Sequence, residues 1–112
     1  MKTLVSLLAL GLMAAPALAA TQSFKDVPVV DVNCSGKVAD SPDAHTRECA
    51  LECKDSGFGI VTSDKKFLKF DKDGNAKIVQ QLNASKKADH LRVNVTGDVQ
   101  GDILKVNTIH LE

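Results

Sequence analysis

FLKFDKDGNAKIVQQLNASKKADHLRVNVTGDVQGDILKVNTIHL, residues 67–111, carries the order of elements that decides the fold. Phe67–Phe70 reads as a short strand. Asp71–Asn75 reads as a loop, and Ala76–Ala84 as a short helix with Ile78, Val79 and Leu82 at helical spacing. Leu91, Val93, Val95 and Val99 then alternate with Arg92, Asn94, Thr96 and Asp98, the pattern of a half-buried strand. Gln100-Gly101-Asp102 is a tight turn. Ile103–Leu111 is the last strand, with a bulge near Asn107 that shifts its apolar face. Upstream, Phe58–Thr62 pairs with Phe67–Phe70 as a hairpin around the polar turn at residues 63–66. Val29–Val38 is the first strand, with Val30, Val32, Cys34 and Val38 on one face and Asp31, Asn33, Ser35 and Lys37 on the other. Five short strands with a helix before the fourth predict a mainly β, α+β fold, a small five-stranded OB-like barrel.

Between the first two strands lies CSGKVADSPDAHTRECALEC, residues 34–53, which holds all three cysteines and one of the three histidines. Ser41 suits a helix N-cap, Pro42 the first helical position and Asp43 the positive end of the dipole. A cysteine-bearing helix is therefore expected from there to about Asp55, stopped by Gly57. At about 100° per residue, His45, Cys49 and Cys53 fall on one face with Thr46 and Ala50, flanked by charged residues. That face is a poor hydrophobic anchor, so a bond is expected to hold the helix to the strand that carries Cys34.

The first residues read as a leader. Lys2 precedes the apolar run Leu4–Ala15, and Ala17-Leu18-Ala19 is a small-x-small cleavage site. Residues 1–19 are expected to be an export signal and residues 20–112 a single domain, periplasmic or secreted. No cysteine stands at the cleavage site to carry a lipid anchor. Lys and Arg together number 14, and so do Asp and Glu. This balance lacks the basic excess of a nucleic-acid binder. Four Phe without Trp or Tyr make a poor stacking platform. Both methionines, Met1 and Met13, belong to the leader, which excludes a thioether copper site.

Thiolates and imidazole are the ligands of Zn²⁺, and thiolates also suit Cu(I). Cys34, His45, Cys49 and Cys53 are the candidate metal ligands. A disulfide is the competing reading. Cys34 bonded to Cys49 or Cys53 would close a loop worth about 3 kcal/mol in the chain-entropy model and leave one thiol over. A reactive thiol is a third reading, in which His45 lowers the pKa of Cys49. No orienting third group or oxyanion site accompanies that pair, so no catalytic residue is assigned. Asp71-Lys72-Asp73-Gly74-Asn75 imitates the start of a calcium loop, but Ala76 and Leu82 stand where that loop needs Gly and Glu. His90 and His110 fall on the polar faces of their strands.

The pattern His45-x-x-x-Cys49-Ala50-x-x-Cys53-x-x-x-Gly57, continued through the run from Gly57 to Asp102, resembles a group of small exported bacterial proteins without an established activity. The similarity covers about residues 27–112. It implies a leader, a cysteine helix and an OB-like barrel, and invites metal handling as the function. Together these readings point to a non-enzymatic binding module that holds Zn²⁺ or Cu(I). The alternative is a disulfide-stapled structural or interaction domain whose partner is another protein.

Overall fold

The computed structural model describes residues 21–112, and the expected leader over residues 1–19 lies outside them. Thr21–Asp31 forms β1, Phe58–Val61 β2, Phe67–Phe70 β3, Arg92–Gln100 β4 and Ile103–Leu111 β5. Three short helices are α1 (Ser35–Val38), α2 (Arg47–Glu52) and α3 (Lys72–Ala84). Most of β1 pairs antiparallel with β4, from Thr21 opposite Asp98 to Pro28 opposite Arg92. Its end pairs with β2, from Val29 opposite Ile60 to Asp31 opposite Phe58. A bulge between Phe24 and Val27, with Asp26 at φ 53°, bends the strand. One bent strand thereby serves two neighbours. β3 runs parallel to β5 at Lys69–Ile103 and Phe70–Leu104. The order β1-β2-β3-β5-β4 closes on itself. This is a small five-stranded OB-like barrel, with α3 before the fourth strand and the cysteine-bearing segment after the first.

Closure follows from the alternation already legible in β4 and β5. Val93 and Val95 point into the core with Leu91, and Leu104 meets them from β5. Thr96 stands opposite Thr108, but Gly97 stands opposite Val106, so Asn107 is the extra residue of a bulge. Beyond it the buried face moves from Leu104 and Val106 to Ile109. Helix α3 adds Ile78 and Leu82, both fully buried, to a core that also takes Phe58 and Ile60 from β2.

Helix α3 starts earlier than expected because the polar run before it caps rather than turns. Asp71 Oδ1 accepts hydrogen bonds from the backbone N of Gly74 and of Val106, each at 3.1 Å. Asn75 Oδ1 accepts from Phe58 N at 2.8 Å. Gly74 fits a helix interior here because any Cβ would lie 2.5 Å from Val106 Cγ2.

Two expectations about the segment from 29 to 55 are corrected. The first strand is Thr21–Asp31, not Val29–Val38. It begins earlier because the polar residues before Pro28 take their places in the ladder with β4. It ends earlier because Asp31 turns the chain: its Oδ2 accepts from Cys34 N at 3.0 Å, and Val32 O accepts from Ser35 N and Ser35 Oγ. Such side-chain bonds compete with the ladder. Cys34 therefore sits at the N-cap of α1, not on a strand.

The helix expected from Ser41 to Asp55 is three pieces. Pro42–Ala44 and Lys54–Ser56 are 3₁₀ turns on either side of α2. The break falls at His45 and Thr46, both with extended backbone. Thr46 is a second N-cap, its Oγ1 accepting from Cys49 N at 3.1 Å. The Thr46 cap makes a second helical start after the Pro42 turn, and His45 is left off the face of Cys49 and Cys53. Gly57 ends the segment with φ 86°.

The segment is held to the barrel by polar clips rather than by a large apolar face. Ala50 is buried in the core and Leu51 packs beside it. Arg47 N donates to Ala88 O at 2.8 Å, and His90 N to Asp43 O at 2.9 Å. Arg92 grips the Asp43 carboxylate in a fork, through Nε at 2.9 Å and Nη2 at 2.8 Å. The Arg92 guanidinium holds the Asp43 carboxyl below the usual carboxylate range. A depressed carboxyl stabilises the fold fully above its unfolded value of about 3.9, and that contribution fades as pH falls through the folded value. Asp43→Asn should therefore cost about 1 kcal/mol at neutral pH, solvent screening this half-exposed pair, with the gap to wild type closing below about pH 4. Urea denaturation of both chains across that range checks it. A gap that stays constant with pH would refute it.

Candidate metal centre

The end of β1 and the end of α2 bring three ligand-type atoms together. A carboxylate oxygen of Asp31, Cys34 Sγ and Cys53 Sγ all lie within 4.8 Å of one another. Each is placed by local chain chemistry. Asp31 is the last residue of β1 and is completely buried, facing the inserted segment. The turn that its carboxylate caps delivers Cys34 three residues later. Cys53 is the C-cap of α2, where the helical backbone gives way to the next turn. Asn33 Nδ2 lies 3.5 Å from Cys53 Sγ, and Asn33 N donates to Ser56 Oγ at 3.2 Å.

His45 stands behind the cluster. Its Nε2 lies 2.5 Å from Asp31 Oδ1, and the ring is buried. A carboxylate acceptor fixes Nε2 as the protonated nitrogen. Asp31 thus spends one oxygen on His45 and the other on Cys34 N, the kind of outer hydrogen bonding that orients a ligating carboxylate.

The electrostatics of the bare cluster favour a neutral Cys34 thiol. Burial pushes it up first, and the Asp31 carboxylate and the neighbouring Cys53 push it further. A thiolate at Cys34 is therefore costly unless a positive charge joins it. A divalent cation would supply that charge and reverse the preference. In a tetrahedral zinc site with Zn–S of about 2.3 Å, sulfurs stand about 3.8 Å apart. The three atoms, all within 4.8 Å of one another, are close to that spacing.

No protein-family model matches the chain. No curated protein and no solved structure matches it either.

Of the four residues read from the sequence as ligands, the structure gathers Cys34 and Cys53. His45 faces Asp31 in place of Cys49, which separates the Cys49–His45 pair of the reactive-thiol reading. Cys49 is exposed on α2 and lies outside the cluster, and all three cysteines are free thiols. Sequence reasoning missed Asp31, which alternation assigns to a polar face. The local signal is Asp31-Val32-Asn33-Cys34, an Asp three residues before the backbone N that it caps. His90 sits before β4 with φ 51° and bonds Asp89, while His110 stands opposite Asn94. A separate cleft of about 600 Å³ opens between the first half of β1 and the β2–β3 turn, floored by Phe24, Val27, Leu68 and Val99. It shares no residue with the cysteine cluster. Among the described residues, no helix is long and apolar enough to cross a membrane.

Proposed function

We propose that the protein is an exported, non-enzymatic module that holds one Zn²⁺ ion through Cys34, Cys53 and Asp31, with His45 orienting the carboxylate. The observation that carries this is the convergence of two sulfurs and a buried carboxylate within 4.8 Å. Three protein ligands leave a fourth tetrahedral position for water or an incoming donor. The carboxylate selects between the two soft ions considered. Oxygen donors suit Zn²⁺ better than Cu(I), which prefers sulfur alone. Export is proposed from the leader-like residues 1–19.

Native mass spectrometry of the full-length chain checks the reading. The expected result is uptake of one Zn²⁺ per chain. Cys34→Ala and Cys53→Ala should each weaken it by about 100-fold or more, since even loss of an outer-shell partner costs about 10–100-fold. Cys49→Ala should bind as wild type does. No stoichiometric uptake by the wild-type chain, or a loss confined to Cys49→Ala, would refute the assignment.

A further inference from the structure

We propose that Cys34 and Cys53 also close into a reversible disulfide, so that oxidation empties the metal site and reduction restores it. This rests on the zinc reading of the same cluster and names its regulation. Several features of the cluster point the same way. The two sulfurs are neighbours within the 4.8 Å group, while Cys49 stands outside it. Both cysteines occupy helix ends, Cys34 at the N-cap of α1 and Cys53 at the C-cap of α2. The backbone at a helix end can shift without breaking the hydrogen bonds of a helix interior. Both are part-exposed, so a small disulfide can reach them.

The neck of the segment holds the two turns in place for either chemistry. Val32 N donates to Gly57 O at 2.8 Å, and Asn33 N to Ser56 Oγ at 3.2 Å. Two bonding partners are open to these sulfurs, a metal ion or each other. The sulfurs cannot serve both at once, so the two states exclude each other.

The oxidant is an external disulfide, RS–SR. One protein sulfur attacks it, forming a mixed disulfide and releasing RS⁻, which takes up a proton. The second protein sulfur attacks the first, forms the Cys34–Cys53 bond and releases the second RS⁻. Two electrons pass from the protein to RS–SR, giving two RSH. In the loaded site the attacking sulfurs are already thiolates, and Zn²⁺ leaves with its charge unchanged. Cys49 keeps its thiol throughout.

The test uses the zinc-loaded full-length chain and oxidised glutathione, with a chromophoric chelator to report free zinc and alkylation under denaturing conditions to count thiols. The expected result is one zinc released per chain as alkylatable thiols fall from three to one. Peptide mapping should link Cys34 to Cys53, and dithiothreitol should restore uptake. Cys49→Ala should release its zinc in the same way and end with no alkylatable thiol. Zinc retained through complete exposure to oxidised glutathione overturns the switch and leaves the zinc function standing. A bond that forms through Cys49 does the same. A chain that never takes up zinc overturns the function and the switch together.

Discussion

Asp31→Ala is expected to cost the fold about 2–5 kcal/mol, because two donors would lose their acceptor. The Asp31 carboxylate is fully buried and accepts from two groups at once, His45 Nε2 at 2.5 Å and Cys34 N at 3.0 Å. Alanine leaves a buried imidazole N–H and a turn N–H without acceptors. Each orphaned donor costs about 1–3 kcal/mol. Against a total of about 5–15 kcal/mol for a typical domain, that is a large share. Asp31→Asn keeps the shape and one carbonyl oxygen, so it should lose less stability while still removing the charge proposed to bind the metal. Urea denaturation of both chains, without metal, measures the difference. A midpoint for Asp31→Ala equal to that of wild type would show that the carboxylate is not the hub of this segment.

Gly97→Ala is expected to destabilise the barrel by about 3 kcal/mol or more, the upper part of the range for overpacking. A Cβ built on Gly97 would lie 2.1 Å from the carbonyl oxygen of Lys105 and 2.9 Å from its carbon. Both are backbone atoms of the neighbouring strand and cannot rotate away. The close approach comes from the Asn107 bulge, which shifts the register between Thr96 and Gly97. Two other glycines supply controls. Gly36 has open space around a missing Cβ, so Gly36→Ala should fall within about 0.5 kcal/mol of wild type. Gly101 also has open space but sits at φ 63°, so its alanine variant should cost about 1–2 kcal/mol from backbone strain alone. Thermal unfolding of the three variants should rank Gly97→Ala lowest. Gly97→Ala melting with Gly36→Ala would mean that the two strands do not approach this closely.

The barrel is legible in the chain because its strands carry period-two patterns that one buried face enforces. Leu91, Val93 and Val95 announce β4 without help from any other residue. The shift of the apolar face past Asn107 is legible for the same reason: a bulge leaves a phase change in the alternation. The cysteine segment is less legible because no periodic apolar face shapes it. Its conformation is decided by single polar side chains acting on nearby backbone. Asp31 and Thr46 each cap a turn, and each breaks an element that periodicity alone would extend. Rotating an unbroken helix places His45 beside Cys49. The Thr46 cap instead leaves His45 free to reach back to Asp31. The sequence shows that Cys34 meets the cysteine helix but not that Cys53 rather than Cys49 is its neighbour, and Asp31 is hidden by its place on the polar side of an alternating run.

The neck at Val32 and Gly57 bears on how such a protein can arise. Asp31 and Phe58 are register partners, and the next residues along, Val32 and Gly57, are hydrogen-bonded as well. The chain leaves the β1–β2 ladder and returns to it at the same rung, so residues 33–56 are an excursion from what would otherwise be an ordinary hairpin. An ancestral barrel could acquire or shed that excursion without altering the order of its strands. The Asp31–Cys34–Cys53 cluster straddles the junction, with Asp31 contributed by the scaffold and both sulfurs by the excursion. A transplant into another hairpin of this shape would carry the sulfurs with it and need a single acidic residue at the last position of the receiving strand.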